Sequence, residues 1–97
     1  MTAQNQAGRA RLHLIVSGRV HGVGFRSSAY DEAIELALAG WVRNLAGGEV
    51  EIVAEGSREN LQMLAAWAHL GPPSAHVTEV REDWLDFTGE FTGFRVR

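Results

Sequence analysis

Cysteine and lysine are both absent from this 97-residue chain. Without cysteine the chain has no disulfide, no thiolate nucleophile and no zinc–thiolate site. This composition fits a reducing compartment, and we expect a cytoplasmic protein. All nine basic side chains are arginine, so a Schiff-base lysine and a phosphate-binding lysine are excluded as well. Any bound phosphate must therefore be held by arginine, by main-chain N–H groups or by helix dipoles.

Excess positive charge and long apolar runs are also missing. The formal net charge is −3, whereas proteins that bind nucleic-acid phosphates present a basic face, so we expect no nucleic-acid partner. No apolar run approaches the ~18 residues that a membrane-spanning helix needs, and we expect no membrane association. Residues 1–10 are polar and lack the apolar core of a signal peptide. We expect them to form a flexible tail before one domain over residues 11–97.

Hydrophobic periodicity in the domain predicts the order β-α-β-β-α-β with a short further strand. The predicted strands cover residues 12–17, 41–45, 49–55, 75–84 and 94–97, and the fourth of them alternates imperfectly, which indicates a bulge. The last strand is expected to point Phe94 and Val96 inward. This order is typical of a ferredoxin-like α/β sandwich, an α+β fold in which two helices cover one face of an antiparallel sheet.

The two predicted helices differ in how clearly they are bounded. The second begins after Ser57, its expected N-cap, and ends at Gly71 before two prolines. Its apolar stripe is expected to consist of Leu61, Leu64, Ala65, Trp67 and Ala68. The first starts near Ser27 or Ser28, either of which is expected to cap it, and stops at Gly40. Its apolar face is expected to consist of residues at helical spacing, namely Tyr30, Ala33, Ile34, Ala37 and Leu38.

A glycine-rich stretch, Gly18-Arg-Val-His-Gly-Val-Gly-Phe-Arg26, joins the first strand to the first helix. Its glycines allow backbone conformations that turn several N–H groups toward one anion. The helix that follows adds free N–H groups and the positive end of its dipole, and Arg26 offers a planar fork that matches phosphate oxygens. The spacing alone is equally compatible with a tight turn that binds nothing.

Other chemistries find little support in the sequence. The glycine-rich stretch has neither the Lys-Ser/Thr pair of a Walker A loop nor the G-x-G-x-x-G dinucleotide pattern. The four histidines have no short metal-ligand spacing, so we expect no metal and no cofactor. Asn44 is unusual in a predicted strand, because asparagine is disfavoured there. It either caps the strand before the turn or holds a water molecule by hydrogen bonds.

Several ordered motifs together resemble the acylphosphatase family. They are the stretch from Gly18 to Arg26, Gly40-Trp-Val-Arg-Asn44, Gly48-Glu-Val-Glu51, Gly71-Pro-Pro73 and Phe94-Arg-Val-Arg97. The resemblance extends from about residue 10 to the end of the chain. It implies a small enzyme that hydrolyses acyl phosphates to a carboxylate and inorganic phosphate without a metal ion. For the oligomeric state, a monomer is the default expectation.

The resemblance also implies a role for particular residues. Arg26 is similar to the family's phosphate-binding catalytic arginine, and Asn44 to the residue that orients the attacking water. The main-chain phosphate cradle corresponds to Val20, His21, Gly22, Val23, Gly24 and Phe25. His21 stands where the family most often has glutamine, so its side-chain role stays open. The alternatives are a phosphate-binding protein without turnover and a domain that processes carbamoyl phosphate for a neighbouring domain.

Overall fold

The fold is described from a computed structural model of residues 8–97; the part of the predicted tail at residues 1–7 lies outside the described residues. The elements follow one another as β1 (Arg9–Arg19), α1 (Phe25–Glu35), β2 (Ala39–Asn44), β3 (Val50–Ser57), α2 (Arg58–Leu70), β4 (His76–Leu85) and β5 (Phe94–Val96). This order confirms the predicted one. β1 begins at Arg9, and Arg9 and Ala10 pair with Ser57 and Gly56, so regular structure starts before residue 11.

The five strands form a single sheet in the order β4-β1-β3-β2-β5. β1, β2, β3 and β4 pair antiparallel, as predicted. β5 pairs with β2 in the parallel direction, so the sheet is mixed rather than wholly antiparallel. β1 and β3 occupy central positions. Because β3 runs antiparallel to both β1 and β2, the last residues of β2 and the first residues of β3 lie at the same end of the sheet as the β1–α1 connection.

The core lies between this sheet and the two helices. Strand alternation places every second residue of the central strands on the helix-covered face, where they are fully buried. These residues are Leu12, Leu14 and Val16 of β1 and Val50, Ile52 and Ala54 of β3. Helix α2 contributes the predicted stripe Leu61, Leu64, Ala65 and Ala68, with Trp67 packed at its border. Its predicted N-cap is confirmed, since the Ser57 hydroxyl accepts the Asn60 N–H at 3.1 Å.

Helix α1 is shorter than predicted and buries a different face. Its last residue is Glu35, not a residue next to Gly40, because Ala37 takes a left-handed conformation (φ 55°). The Leu38 N–H then bonds to the Ala33 carbonyl and the Ala37 N–H to that of Ile34, which is a Schellman motif. Gly40 lies instead in β2, where a Cβ would meet the main-chain oxygen of Val53 at 1.9 Å.

The buried residues of α1 are Phe25, Ala29 and Ala33, which recur every four residues. Tyr30 and Ile34 of the predicted stripe are 38% and 49% exposed, and Ala37 is also exposed, so that prediction is wrong for these three residues. The helix begins two or three residues earlier than predicted, at Phe25, whose ring lies in the core on the same face as Ala29 and Ala33. Neither helix among the described residues is long and apolar enough to cross a membrane.

The predicted irregularity in β4 is confirmed, whereas part of the prediction for β5 is wrong. Ser17 pairs with Glu79 but Gly18 pairs with Val77, so Thr78 is an extra residue that forms a bulge in β4. In β5, Phe94 is buried as predicted, but Val96 is 47% exposed. Val96 lies at the end of a short edge strand.

Candidate active site

The connection between β1 and α1 is fixed to the core at both of its ends. Val20 and Phe25 are each 1% exposed, and the Phe25 ring lies 5.1 Å from that of Trp67 in α2. Between these two anchors, His21, Gly22 and Gly24 are exposed to solvent. The apolar residues of the motif therefore hold the loop in place while its main chain faces outward.

The glycines of the motif serve two different purposes. Gly22 (φ 71°) and Gly24 (φ 77°) adopt left-handed conformations, and a Cβ on either would meet no atom within 4 Å. They are needed for conformation rather than for space. Gly18 lies within β1, where a Cβ would come within 2.2 Å of the main-chain oxygen of His76. That glycine allows β4 to approach at the bulge, so the loop proper is shorter than the sequence motif.

The main chain of this loop carries a run of free hydrogen-bond donors. Among residues 8–97, no N–H from His21 to Ser27 donates to a main-chain carbonyl, and the first that does is Ser28, to Gly24 at 3.0 Å. The N-cap is Gly24, which has no side chain to accept these N–H groups, so the predicted cap at Ser27 or Ser28 is wrong. Free N–H groups at the positive end of a helix form an anion-binding site.

Arg26 lies in the first turn of α1, at the edge of this loop. Its Nη1 donates a hydrogen bond of 2.9 Å to the main-chain oxygen of Arg97. Its remaining guanidinium N–H groups make no other hydrogen bond to the described residues, and the first turn of α1 contains no acidic residue. A half-buried guanidinium with free donors is suited to bind the oxygens of a phosphate group.

Asn44 is the last residue of β2 and pairs with Val50 of β3. Strand alternation places it on the same sheet face as the fully buried Val42, the face toward α1. Its amide makes no hydrogen bond to the described residues. The following turn is closed by main-chain bonds, from the Leu45 N–H to Glu49 at 2.8 Å and from the Gly48 N–H to Leu45 at 3.1 Å. The turn therefore does not need Asn44 as a cap, and its amide is available to a ligand.

Two sets of hydrogen bonds bring the loop and the end of β2 to one place. On one side, Arg26 bonds to Arg97, whose N–H donates to the Val42 carbonyl at 2.8 Å. On the other side, His21 Nε2 lies 2.8 Å from the main-chain oxygen of Glu49. The hydrogen bonds that the main-chain oxygens of Arg97 and Glu49 accept were not predicted from the sequence. Both residues lie in motifs named above, but they act through main-chain oxygens, which every residue type has, so the motifs do not predict these contacts.

The titratable cluster nearest to Asn44 lies on the opposite face of the sheet. There Glu51 pairs with Arg43 at 2.6 Å and with His13 at 2.7 Å. Burial raises the pKa of Glu51, but these two hydrogen bonds outweigh it and hold the pKa below its ordinary value. Glu51 is therefore an ionised, paired carboxylate and not a general base for the loop. Within residues 8–97, no group of three His, Asp or Glu side chains is placed to hold a metal ion.

Comparisons with known proteins agree on one family. The family model described as acylphosphatase matches residues 12–96. An acylphosphatase from Pelotomaculum thermopropionicum is 50% identical over 88 residues, which cover 91% of this chain and 96% of that protein. Two solved structures are also similar. An acylphosphatase from Coxiella burnetii matches with a TM-score of 0.88 and 42% identity over 94% of this chain and 95% of its own. One from Bacillus subtilis matches with a TM-score of 0.87 and 36% identity over 91% and 98%.

Proposed function

The chain belongs to the acylphosphatase family, and from this premise we propose that the loop at residues 20–25, Arg26 and Asn44 form its active site. The chain hydrolyses the bond between the carboxyl and phosphate groups of small acyl phosphates and releases inorganic phosphate. The observation that carries the proposed site is the run of free N–H groups from His21 to Ser27 beside the free donors of Arg26.

The loop and Arg26 bind the phosphate group of the substrate. The main-chain N–H groups and the guanidinium donate hydrogen bonds to its non-bridging oxygens, with the positive end of the α1 dipole behind them. Phosphoryl transfer passes through a loose transition state whose charge is spread over these oxygens. Because the donors are already oriented by the fold, they stabilise that charge without further rearrangement.

Asn44 orients the attacking water. Its amide oxygen accepts a hydrogen bond from a water molecule placed in line with the bond that breaks. The water oxygen then bonds to phosphorus, the bond from phosphorus to the acyl oxygen breaks, and its electron pair leaves with the carboxylate. An amide is not a base at neutral pH, so the water proton passes to an oxygen of the substrate's own phosphate.

The chemistry of the leaving group explains why so few side chains are enough. A carboxylate is the conjugate base of an acid with a pKa of about 4–5, so it departs without a proton donor. Arg26 and the N–H groups supply the positive charge, and we propose that no metal ion or other cofactor takes part. We also propose that the protein acts as a cytoplasmic monomer without nucleic-acid or membrane partners.

Hydrolysis in oxygen-18-labelled water tests the proposed direction of attack. If Asn44 directs water to phosphorus, a single turnover places the label in inorganic phosphate and leaves the carboxylate unlabelled. A parallel incubation without protein corrects for spontaneous hydrolysis. Label in the carboxylate would show attack at the carbonyl carbon, which would overturn the role of Asn44 in this mechanism.

A further inference from the structure

His21 is the residue of the loop for which the proposed mechanism has no side-chain role. Its ring is exposed, and Nε2 lies 2.8 Å from the main-chain oxygen of Glu49. A carbonyl oxygen only accepts hydrogen bonds, so Nε2 carries a proton and donates it. The same oxygen accepts the Leu45 N–H, also at 2.8 Å, and its two lone pairs accommodate both donors.

This contact joins the two halves of the proposed site. Leu45 directly follows Asn44, and the Glu49 oxygen that Leu45 bonds to is the one that holds His21. Within the described part of the chain, no other hydrogen bond connects residues 20–25 with residues 44–50. The His21 imidazole is thus the one side chain in the described residues that ties this loop to the β2–β3 turn by a hydrogen bond.

We propose that His21 is a positioning residue for acyl phosphate hydrolysis, acting through the main chain of the β2–β3 turn on Asn44. The inference rests on the proposed active site. Attack in line with the breaking bond depends on where the phosphate lies relative to the water, and a displacement of about 1 Å costs up to about 100-fold in rate. The His21 side chain fixes that relation without touching either reactant. Its removal leaves the loop N–H groups and the core anchors Val20 and Phe25 in place.

Steady-state kinetics on His21→Ala and His21→Gln test this role. With benzoyl phosphate as substrate, His21→Ala is expected to lower kcat about three- to tenfold, the range of one lost hydrogen bond. The inhibition constant of inorganic phosphate should change less than about twofold, because the binding groups remain. His21→Gln, which keeps an N–H donor of similar reach, should recover kcat to within about twofold. The matched control is His69→Ala, which removes an exposed imidazole that is bonded to Glu82 and is not part of the proposed site, and it should leave kcat unchanged.

A double-variant cycle tests that His21 acts through Asn44. In an Asn44→Ala background, His21→Ala should cause less than a twofold further loss of kcat, because the water is no longer oriented. An unchanged kcat in His21→Ala, a failure of His21→Gln to recover it, or fully multiplicative losses in the double variant would each overturn the inference.

If His21→Ala does not fold, the activity of His21→Gln decides. If Arg26→Ala and Asn44→Ala themselves retain activity, the proposed site is wrong. If these two variants are inactive and His21→Ala is fully active, only the positioning role of His21 is refuted.

Discussion

The guanidinium of Arg26 donates a hydrogen bond of 2.9 Å to the main-chain oxygen of Arg97. Arg97 is in turn held to β2, because its N–H donates to the Val42 carbonyl at 2.8 Å. The arginine at the start of α1 is thereby fixed to the strand that ends at Asn44. A guanidinium has five N–H donors, so this bond leaves enough of them free for a phosphate group.

Replacing Arg26 should abolish turnover. Arg26→Ala removes the charged donor beside the loop, and we expect kcat/KM to fall by about 100-fold to 1000-fold or more. Arg26→Lys should recover little, because an ammonium group is not a planar fork with paired donors. The control is Arg81→Ala, which removes an exposed arginine from β4. Activity of Arg26→Ala within tenfold of the parent would contradict the assignment.

Replacing Asn44 should affect the chemical step more than binding. Asn44→Ala removes the amide that orients water, so kcat is expected to fall about 100-fold. The affinity for inorganic phosphate, measured by calorimetry, should change less than about threefold, because the loop and Arg26 are intact. A folded Asn44→Ala protein with full kcat would show that the residue has no part in the reaction.

The two kinds of glycine in the motif should respond differently to substitution. Gly24→Ala places a Cβ in open space at φ 77°, and we expect a loss of about 1 kcal/mol in the free energy of unfolding with weaker phosphate binding. Gly24→Asn should lose less, since asparagine tolerates the left-handed region. Gly18→Ala should lose more than Gly24→Ala, because the main chain at His76 must move. Urea unfolding of the three variants measures these differences, and equal stability of Gly18→Ala and Gly24→Ala would argue against them.

The buried carboxylate of Glu55 should make stability depend on acid. Glu55 is 3% exposed and accepts hydrogen bonds from Arg11, from the Thr88 N–H and hydroxyl, and from the Gly89 N–H. Burial raises the pKa of Glu55, but the bonds from Thr88, Arg11 and Gly89 outweigh it and hold the pKa below its ordinary value. The unfolded chain therefore binds this proton more tightly than the folded one. The stabilisation is complete above pH of about 4.3 and is lost as pH falls toward the folded-state pKa.

Glu55→Gln tests this linkage. At pH 7 we expect a loss of about 1–3 kcal/mol in the free energy of unfolding, because hydrogen bonds to a charged group are replaced by weaker ones. Between pH 5 and pH 3, values chosen on the ordinary carboxyl pKa of about 4.3, the variant should lose less stability than the parent. Chemical denaturation at each pH gives both values. Parallel pH profiles for parent and variant would show that Glu55 does not titrate in this range.

Sequence patterns predicted the parts of this structure that depend on regular periodicity. The order of the elements, the apolar stripe of α2 and the bulge in β4 follow such patterns, and they were predicted correctly. The end of α1 was not, because the residue in the left-handed position is Ala37, where glycine is the usual signal. The exposure of Tyr30 and Ile34 was not predicted either, because the start of the helix at Phe25, with its ring in the core, was missed.

The residues of the candidate site were proposed from the sequence, but the contacts that link them were not. Arg26, Asn44 and the glycine loop belong to motifs that can be read from the chain. The contacts that bring them together use main-chain oxygens at Arg97 and Glu49, which depend on the sheet order and on β5 pairing with β2. Such contacts between distant residues depend on the three-dimensional fold rather than on local pattern.

We propose that this chain hydrolyses acyl phosphates with Arg26, main-chain donors and Asn44, and without a metal ion. The most direct test is the release of benzoate from benzoyl phosphate by the purified protein, with and without an excess of a metal chelator. We predict turnover well above the buffer rate, unchanged by the chelator and competitively inhibited by inorganic phosphate. Phosphate binding without any benzoate release, or activity that disappears with the chelator and returns with added metal, would contradict the claim.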